Sequence, residues 1–254
     1  MVTVKYNGGL GNNLIQHLAG YFFSIKHNLK FNHAYHTFED LIKYDDYIEG
    51  DIGEEIVVIN DDNFITYLEK NNMEIKHYIF EGFFQTKDFL EKYENEIKSL
   101  LNIVYSEVEG NSVFLHYRIG DIQDTQLMLP IEYYEDALSN INYDSGYISS
   151  DTINHENCLK LMSKYNLTPI NSSPMGIINY GKNFKNLILS EGTFSWWIGF
   201  LSDNSNIVCN DREGKWFGDI FFDRWGKLSW DYSVNEIVEN TQLTNYNPIN
   251  LLKK

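Results

Sequence analysis

The sequence predicts an α/β protein built on parallel sheets, and three observations predict it. Short β-branched or apolar runs alternate with helical patterns along most of the chain. A glycine-rich turn joins the first run to the first helix, which makes half of a βαβ unit. The same alternation starts again near residue 111, so two α/β halves are expected, 1–110 and 111–254.

Each element follows in order. Residues 2–6 read as a strand, and Asn7-Gly8-Gly9-Leu10-Gly11-Asn12 as the turn. Leu14, Leu18, Tyr21, Phe22 and Ile25 then recur at helical spacing. Residues 56–59 and 75–80 read as strands. Residues 88–101 read as one helix, with Phe89, Leu90, Tyr93, Ile97, Leu100 and Leu101 on its apolar side. In the second half, strands are expected at 113–117, 146–149, 187–189 and 206–209. Helices are expected at 130–138, with Pro130 near the first turn, at 154–164 and over Thr193–Leu201. The polar tail from residue 235 is expected to pack back on the body or fray.

Bulk properties narrow the function. A chain of 254 residues with 43% hydrophobic content has room for one large domain or two small ones. Its formal net charge of −16 repels phosphate backbones and anionic lipids, so nucleic acid is excluded as a partner. A single nucleotide needs only a local positive pocket and stays possible. The 18 Tyr, 16 Phe and 5 Trp serve a core first, although aromatic faces also stack on sugars. Two cysteines, Cys158 and Cys209, fit buried thiols in a reducing compartment. Neither a signal pattern nor an apolar run of about 18 residues is present, so the expectation is a cytoplasmic protein with no transmembrane segment.

Three segments carry candidate chemistry. His116-Tyr117-Arg118-Ile119-Gly120-Asp121 follows an apolar strand, at the strand end where open α/β sheets bind ligands. An Arg there can fork onto a phosphate, or simply hold a turn through Asp121. Ser190-Glu191-Gly192-Thr193-Phe194-Ser195-Trp196-Trp197 opens a helix, whose free amides favour an anion. The hydroxyls of Thr193 and Ser195 serve equally well as helix caps. The turn from Gly8 to Asn12 lets a ligand approach the backbone closely, but its spacing is not the dinucleotide fingerprint. No metal is expected: His33 and His36 have no companions, and no Asp-x-Asp motif occurs. The G-x-S-x-G elbow of serine hydrolases is also absent.

Taken in order, these blocks resemble the inverting α-1,2-fucosyltransferases. The family's G-G-L-G-N-Q-L-F-Q stands as Gly8-Gly9-Leu10-Gly11-Asn12-Asn13-Leu14-Ile15-Gln16. Its G-Y-[FW]-Q-S is similar to Gly82-Phe83-Phe84-Gln85-Thr86, and its H-x-R-R-G-D to the run from His116 to Asp121. A Tyr133-Tyr134 pair, Ile148-Ser149-Ser150-Asp151 and Gly192-Thr193-Phe194-Ser195-Trp196-Trp197 complete the series. The resemblance covers roughly residues 2 to 217. Ile119 replaces the family's second Arg, and Gly192 replaces the first Ser of its last block.

The resemblance implies a GT-B fold, two Rossmann-like domains facing across a cleft. It implies GDP-β-L-fucose as donor, a glycan hydroxyl as acceptor, inversion, and neither metal nor cofactor. Donor contacts fall on His116, Arg118, Asp151, Asn179, Thr193, Phe194 and Ser195. Arg118 would carry the charge of the departing GDP, and Asp121 or Asp124 would be the base. Gly9, Gly11, Asn12 and Gln16 would line the cleft near the sugar. Two alternatives stay open: another GDP-deoxyhexose, or a non-catalytic binding module. A nicotinamide-dependent oxidoreductase fails on the glycine spacing.

Overall fold

The structure is a computed structural model and describes residues 1–32, 41–42, 55–108, 110–123, 125, 127–203, 205–211 and 220–229. The described strands form two all-parallel sheets, which bears out the α/β expectation. The first is built from β1 (Val2–Val4), α1 (Leu10–Lys26), β2 (Phe31–Asn32), β3 (Ile56–Ile59), α2 (Phe64–Leu68) and β4 (His77–Phe80), followed by α3 (Lys87–Leu90) and α4 (Glu94–Ser99). Its strand order is β2-β1-β4-β3.

The second sheet starts with β5 (Ser112–Tyr117), a 3-10 turn (Gly120–Ile122), α5 (Ile131–Ser139) and β6 (Ser145–Ser150). It continues with α6 (Glu156–Tyr165), β7 (Leu167–Pro169), α7 (Pro174–Gly181), β8 (Asn186–Ile188), α8 (Thr193–Leu201), β9 (Asn206–Asn210) and β10 (Gly226–Leu228). The order is β10-β9-β8-β5-β6-β7.

These orders place a topological switch point in each sheet. From β1 the chain crosses through α1 to β2 on one flank, while β4 lies on the other. From β5 it crosses through α5 to β6, while β8 lies on the opposite flank. Where neighbouring connections diverge, a crevice opens outside the carboxyl ends of the strands. The crevices here lie beyond β1 and β4, and beyond β5 and β8.

Packing explains the layers. All six residues of β5 are buried, as a central parallel strand covered on both faces requires. Its side chains alternate between cores. Val113, Leu115 and Tyr117 enter a cluster with Tyr133, Tyr134, Leu161 and Cys158. Phe114 faces the other way, into a larger cluster that runs from Val2, Phe23 and Phe80 to Trp196, Trp197 and Phe222. That larger cluster joins the helices of both sheets. Cys158 and Cys209 are both buried, as expected.

The structure corrects one helix. Residues 88–101 form α3 and α4, not a single rod. Tyr93 stands at the break with φ −110° and ψ 21°. Its ring packs on Phe22 and Phe89, its phenol donates to Glu69, and Lys26 Nζ donates to the phenol oxygen at 2.7 Å. These tertiary contacts outweigh a helical pattern that is favourable locally. Short elements such as β2, β7, β10, α2 and α7 were not expected. Among the described residues no helix is long and apolar enough to cross a membrane. The expected tail from residue 235 lies outside the described residues.

Candidate functional site

The two crevices meet at the starts of α1 and α8. Asn12, in the first turn of α1, accepts at Oδ1 from Thr193 Oγ1 at 2.7 Å and from Gln85 Nε2 at 3.1 Å. Gln85 follows β4, so one side-chain oxygen ties together the segments after β1, β4 and β8. Trp197 Nε1 donates to Gly11 O at 2.9 Å. A Cβ on Gly11 would lie 2.6 Å from both Phe194 N and Thr193 Oγ1, so the helices approach as glycine alone permits.

Both helix starts leave amides without helical carbonyls. The first bonds are Asn13 N to Gly9 O, 3.0 Å, and Trp196 N to Gly192 O, 3.1 Å. The amides of residues 10–12 and 193–195 therefore have no intrahelical acceptor. Both N-caps are glycines without a capping side chain. Two positive dipole ends thus share one region, a setting that favours an anion.

Arg118 adds a full charge there. Its backbone N–H donates to Ser190 Oγ at 3.1 Å, which fixes the turn after β5 to the end of β8. Its guanidinium forks onto Asp121, Nε to Oδ1 at 3.0 Å and Nη2 to Oδ2 at 2.7 Å. That bond holds the Asp121 carboxyl below the usual carboxylate range. The remaining nitrogen, Nη1, lies 2.5 Å from where a Cβ on Gly192 would stand. Gly192 has φ +102°, ψ 163°, a conformation open to glycine. Gly192 therefore leaves room for Arg118.

The residues beside Arg118 hold the turn. Asp151 Oδ1 accepts from Ile119 N at 2.9 Å. The Ile119 side chain is fully buried in the smaller core. This position points inward, so Ile119 is a packing residue and Arg118 alone faces out. His116 is buried, pairs through Nδ1 with Ser195 Oγ at 2.5 Å and packs its ring on Phe194. Ser195 Oγ also accepts from Ser190 N at 3.1 Å. Ser195 Oγ is thus held between the His116 ring and the Ser190 amide. Burial pushes His116 down to about 4, and Arg118 adds to the fall while Asp151 opposes it. The ring is neutral near pH 7.

Arg118, Asp121, Asp151, His116, Thr193, Phe194, Ser195, Asn12, Gly11 and Gly9 therefore gather in one region. Gly9 has open space around its Cα. Ser195 is fully buried, and both its bonds are structural. Gln16 is also fully buried: its Oε1 accepts from Asn7 N and its Nε2 donates to Gly82 O, which binds the two turns of the first sheet. Asn179 is not brought to the cluster. It stands near the end of α7, which feeds the amino end of β8, and it bonds Lys182 and Asn183. Asp124 lies outside the described residues, as do His33 and His36.

Sequence reasoning missed Asp61. Its carboxylate accepts from Phe83 N and Phe84 N and holds Phe84 at φ +56°. That fixes the turn carrying Gln85. The partners are more than twenty positions apart, with no local signal to link them. Among the described residues, no group of three or more His, Cys, Asp or Glu is placed to hold a metal.

No protein-family model matches the chain, and no curated protein sequence is significantly similar to it. Among solved structures the fold is similar to that of the fucosyltransferase NodZ from Bradyrhizobium, at 9% identity and a TM-score of 0.47. The match covers 79% of this chain and 93% of that one.

Proposed function

We propose that the chain is a glycosyltransferase that moves L-fucose from GDP-β-L-fucose to a glycan hydroxyl. One observation carries this reading: Arg118 stands at the end of β5, beside the start of α8, whose first amides have no intrahelical acceptor and which packs on the start of α1. Such a place favours a diphosphate. The choice of guanine and fucose rests on the motif series, as does the assignment of the halves to a GT-B frame.

The proposed chemistry follows from charge. As the sugar–phosphate bond lengthens, positive charge grows on the sugar ring and negative charge on the β-phosphate. Arg118 and the amides of residues 193–195 meet that negative charge in fixed positions, so little reorganisation is needed in the transition state. In this reading the protein's own cation serves the leaving group without a divalent metal. The acceptor hydroxyl, in the reading the galactose O2, attacks from the opposite face, inverts the anomeric centre as GDP leaves, and gives its proton to a carboxylate base, for which Asp124 is the other sequence candidate. Asp121 pairs with Arg118 through both carboxylate oxygens, so we assign it a positioning role. Gly9, open on its outer side, lets the sugar approach the first turn.

The test is product analysis. The purified chain is incubated with GDP-fucose and a panel of β-galactosides in EDTA, and the glycans are examined by mass spectrometry and linkage analysis. A deoxyhexose added to one acceptor class supports the reading. Addition from another GDP-deoxyhexose only would correct the sugar. No addition from any GDP-sugar, with any acceptor or divalent metal tried, would refute it.

A further inference from the structure

In the proposed site the forking edge of Arg118 is already taken. Nε and Nη2 both bind Asp121, with N–O distances of 3.0 and 2.7 Å. The third nitrogen lies against Gly192 at the start of α8. The outer Nη1–Nη2 edge backs onto Gly192 at the start of α8, so a phosphate that forks onto the Nε–Nη2 edge needs the place Asp121 occupies. The carboxylate therefore presents two oxygens to the guanidinium where a phosphate would present two.

Asp121 is also built to leave. Its side chain is 68% exposed, whereas that of Arg118 is 28% exposed. It sits on the three-residue turn Gly120–Ile122, and water can solvate its carboxylate once the fork opens. An ion pair this exposed is weak, so a diphosphate with two helix starts behind it can displace it. The backbone beneath Arg118 is held, its own N–H by Ser190 and that of Ile119 by Asp151.

We infer that Asp121 is an exchangeable placeholder: it holds Arg118 against Gly192 in the empty site and yields the fork to the donor's diphosphate. The inference rests on the proposed diphosphate site and adds to it. Its function is to keep an arginine ordered and unoccupied by stray anions, at the cost of some donor affinity. Asp151, the other carboxylate at this turn, binds the Ile119 amide and does not fork on Arg118.

Calorimetry with GDP tests this on four proteins: wild type, Asp121→Asn, Arg118→Lys and the double variant. A neutral carboxamide cannot form the charged fork, so Asp121→Asn should bind GDP about 3- to 10-fold more tightly. Lysine keeps the charge but cannot fork, so in the Arg118→Lys background the same change should gain less than about twofold. Weaker or unchanged binding by Asp121→Asn overturns the placeholder. An equal gain in both backgrounds also overturns it, since that would be simple removal of a repelling charge. If none of the four binds GDP or pyrophosphate, the diphosphate site fails and the exchange with it.

Discussion

The Thr193 hydroxyl donates to Asn12 Oδ1 at 2.7 Å, joining two helix starts that lie 181 positions apart. The same oxygen takes a bond from Gln85. Removing it with Asn12→Ala leaves two donors without their acceptor. The expected cost is about 1–2 kcal/mol, read from urea unfolding. An unchanged midpoint would mean that water replaces the carboxamide without loss.

The glycines of the first turn should respond differently. Gly11→Ala drives a methyl into Phe194 N and Thr193, and should destabilise by about 1–3 kcal/mol. Gly9→Ala meets nothing within 4 Å and should change stability by less than about 0.5 kcal/mol. If the donor sugar lies against this turn, Gly9→Ala should nonetheless raise KM for the nucleotide sugar. Equal melting shifts for the two variants would contradict the described helix contact.

Placing an arginine at Ile119 should not help. The position faces a core of Tyr117, Leu129 and Tyr134. Ile119→Arg puts an unpaired charge there, at about 3–5 kcal/mol. Thermal unfolding should show a marked loss with no gain in nucleotide binding. A stable variant with tighter binding would show that the side chain turns outward.

His116 sets part of the acid response. Its folded value of about 4 lies below the ordinary 6.5, so the unfolded chain binds more protons between those values. Stability should therefore fall as pH drops from about 6.5 to 4, by on the order of 3 kcal/mol from this residue. His27 and His77 are lowered by burial too and add to the same limb. In His116→Asn most of that fall should vanish when unfolding free energy is plotted against pH. An acid limb identical to wild type would place the titration elsewhere.

Much of this was legible in the sequence for physical reasons. Local signals mark local structure: the run ending in Tyr117, the glycine turn and the TFSWW helix each sit where their pattern put them. Arg118 stood out because it follows an apolar strand at the end where α/β sheets bind ligands, and the Arg118–Asp121 turn offered as the other reading is present in the fold. What was hidden depends on partners far along the chain. The break at Tyr93 needs Glu69 and Lys26, and the turn at Phe84 needs Asp61. The hydroxyl of Ser195 reads as a phosphate donor in the motif, yet in the fold it is spent on His116 and Ser190. Gly192 reads as a lost serine, and only its φ of +102° beside the Arg118 guanidinium shows why glycine stands there.

The most direct measurement is GDP release from GDP-fucose in EDTA, with and without β-galactoside acceptors, by wild type and by Arg118→Ala. The account predicts release that acceptor stimulates, lowered about 10²–10³-fold in the variant, whose melting temperature stays near that of wild type. Release that is equal in the two proteins would contradict the central role given to Arg118, and no release or GDP binding by wild type would remove the donor assignment.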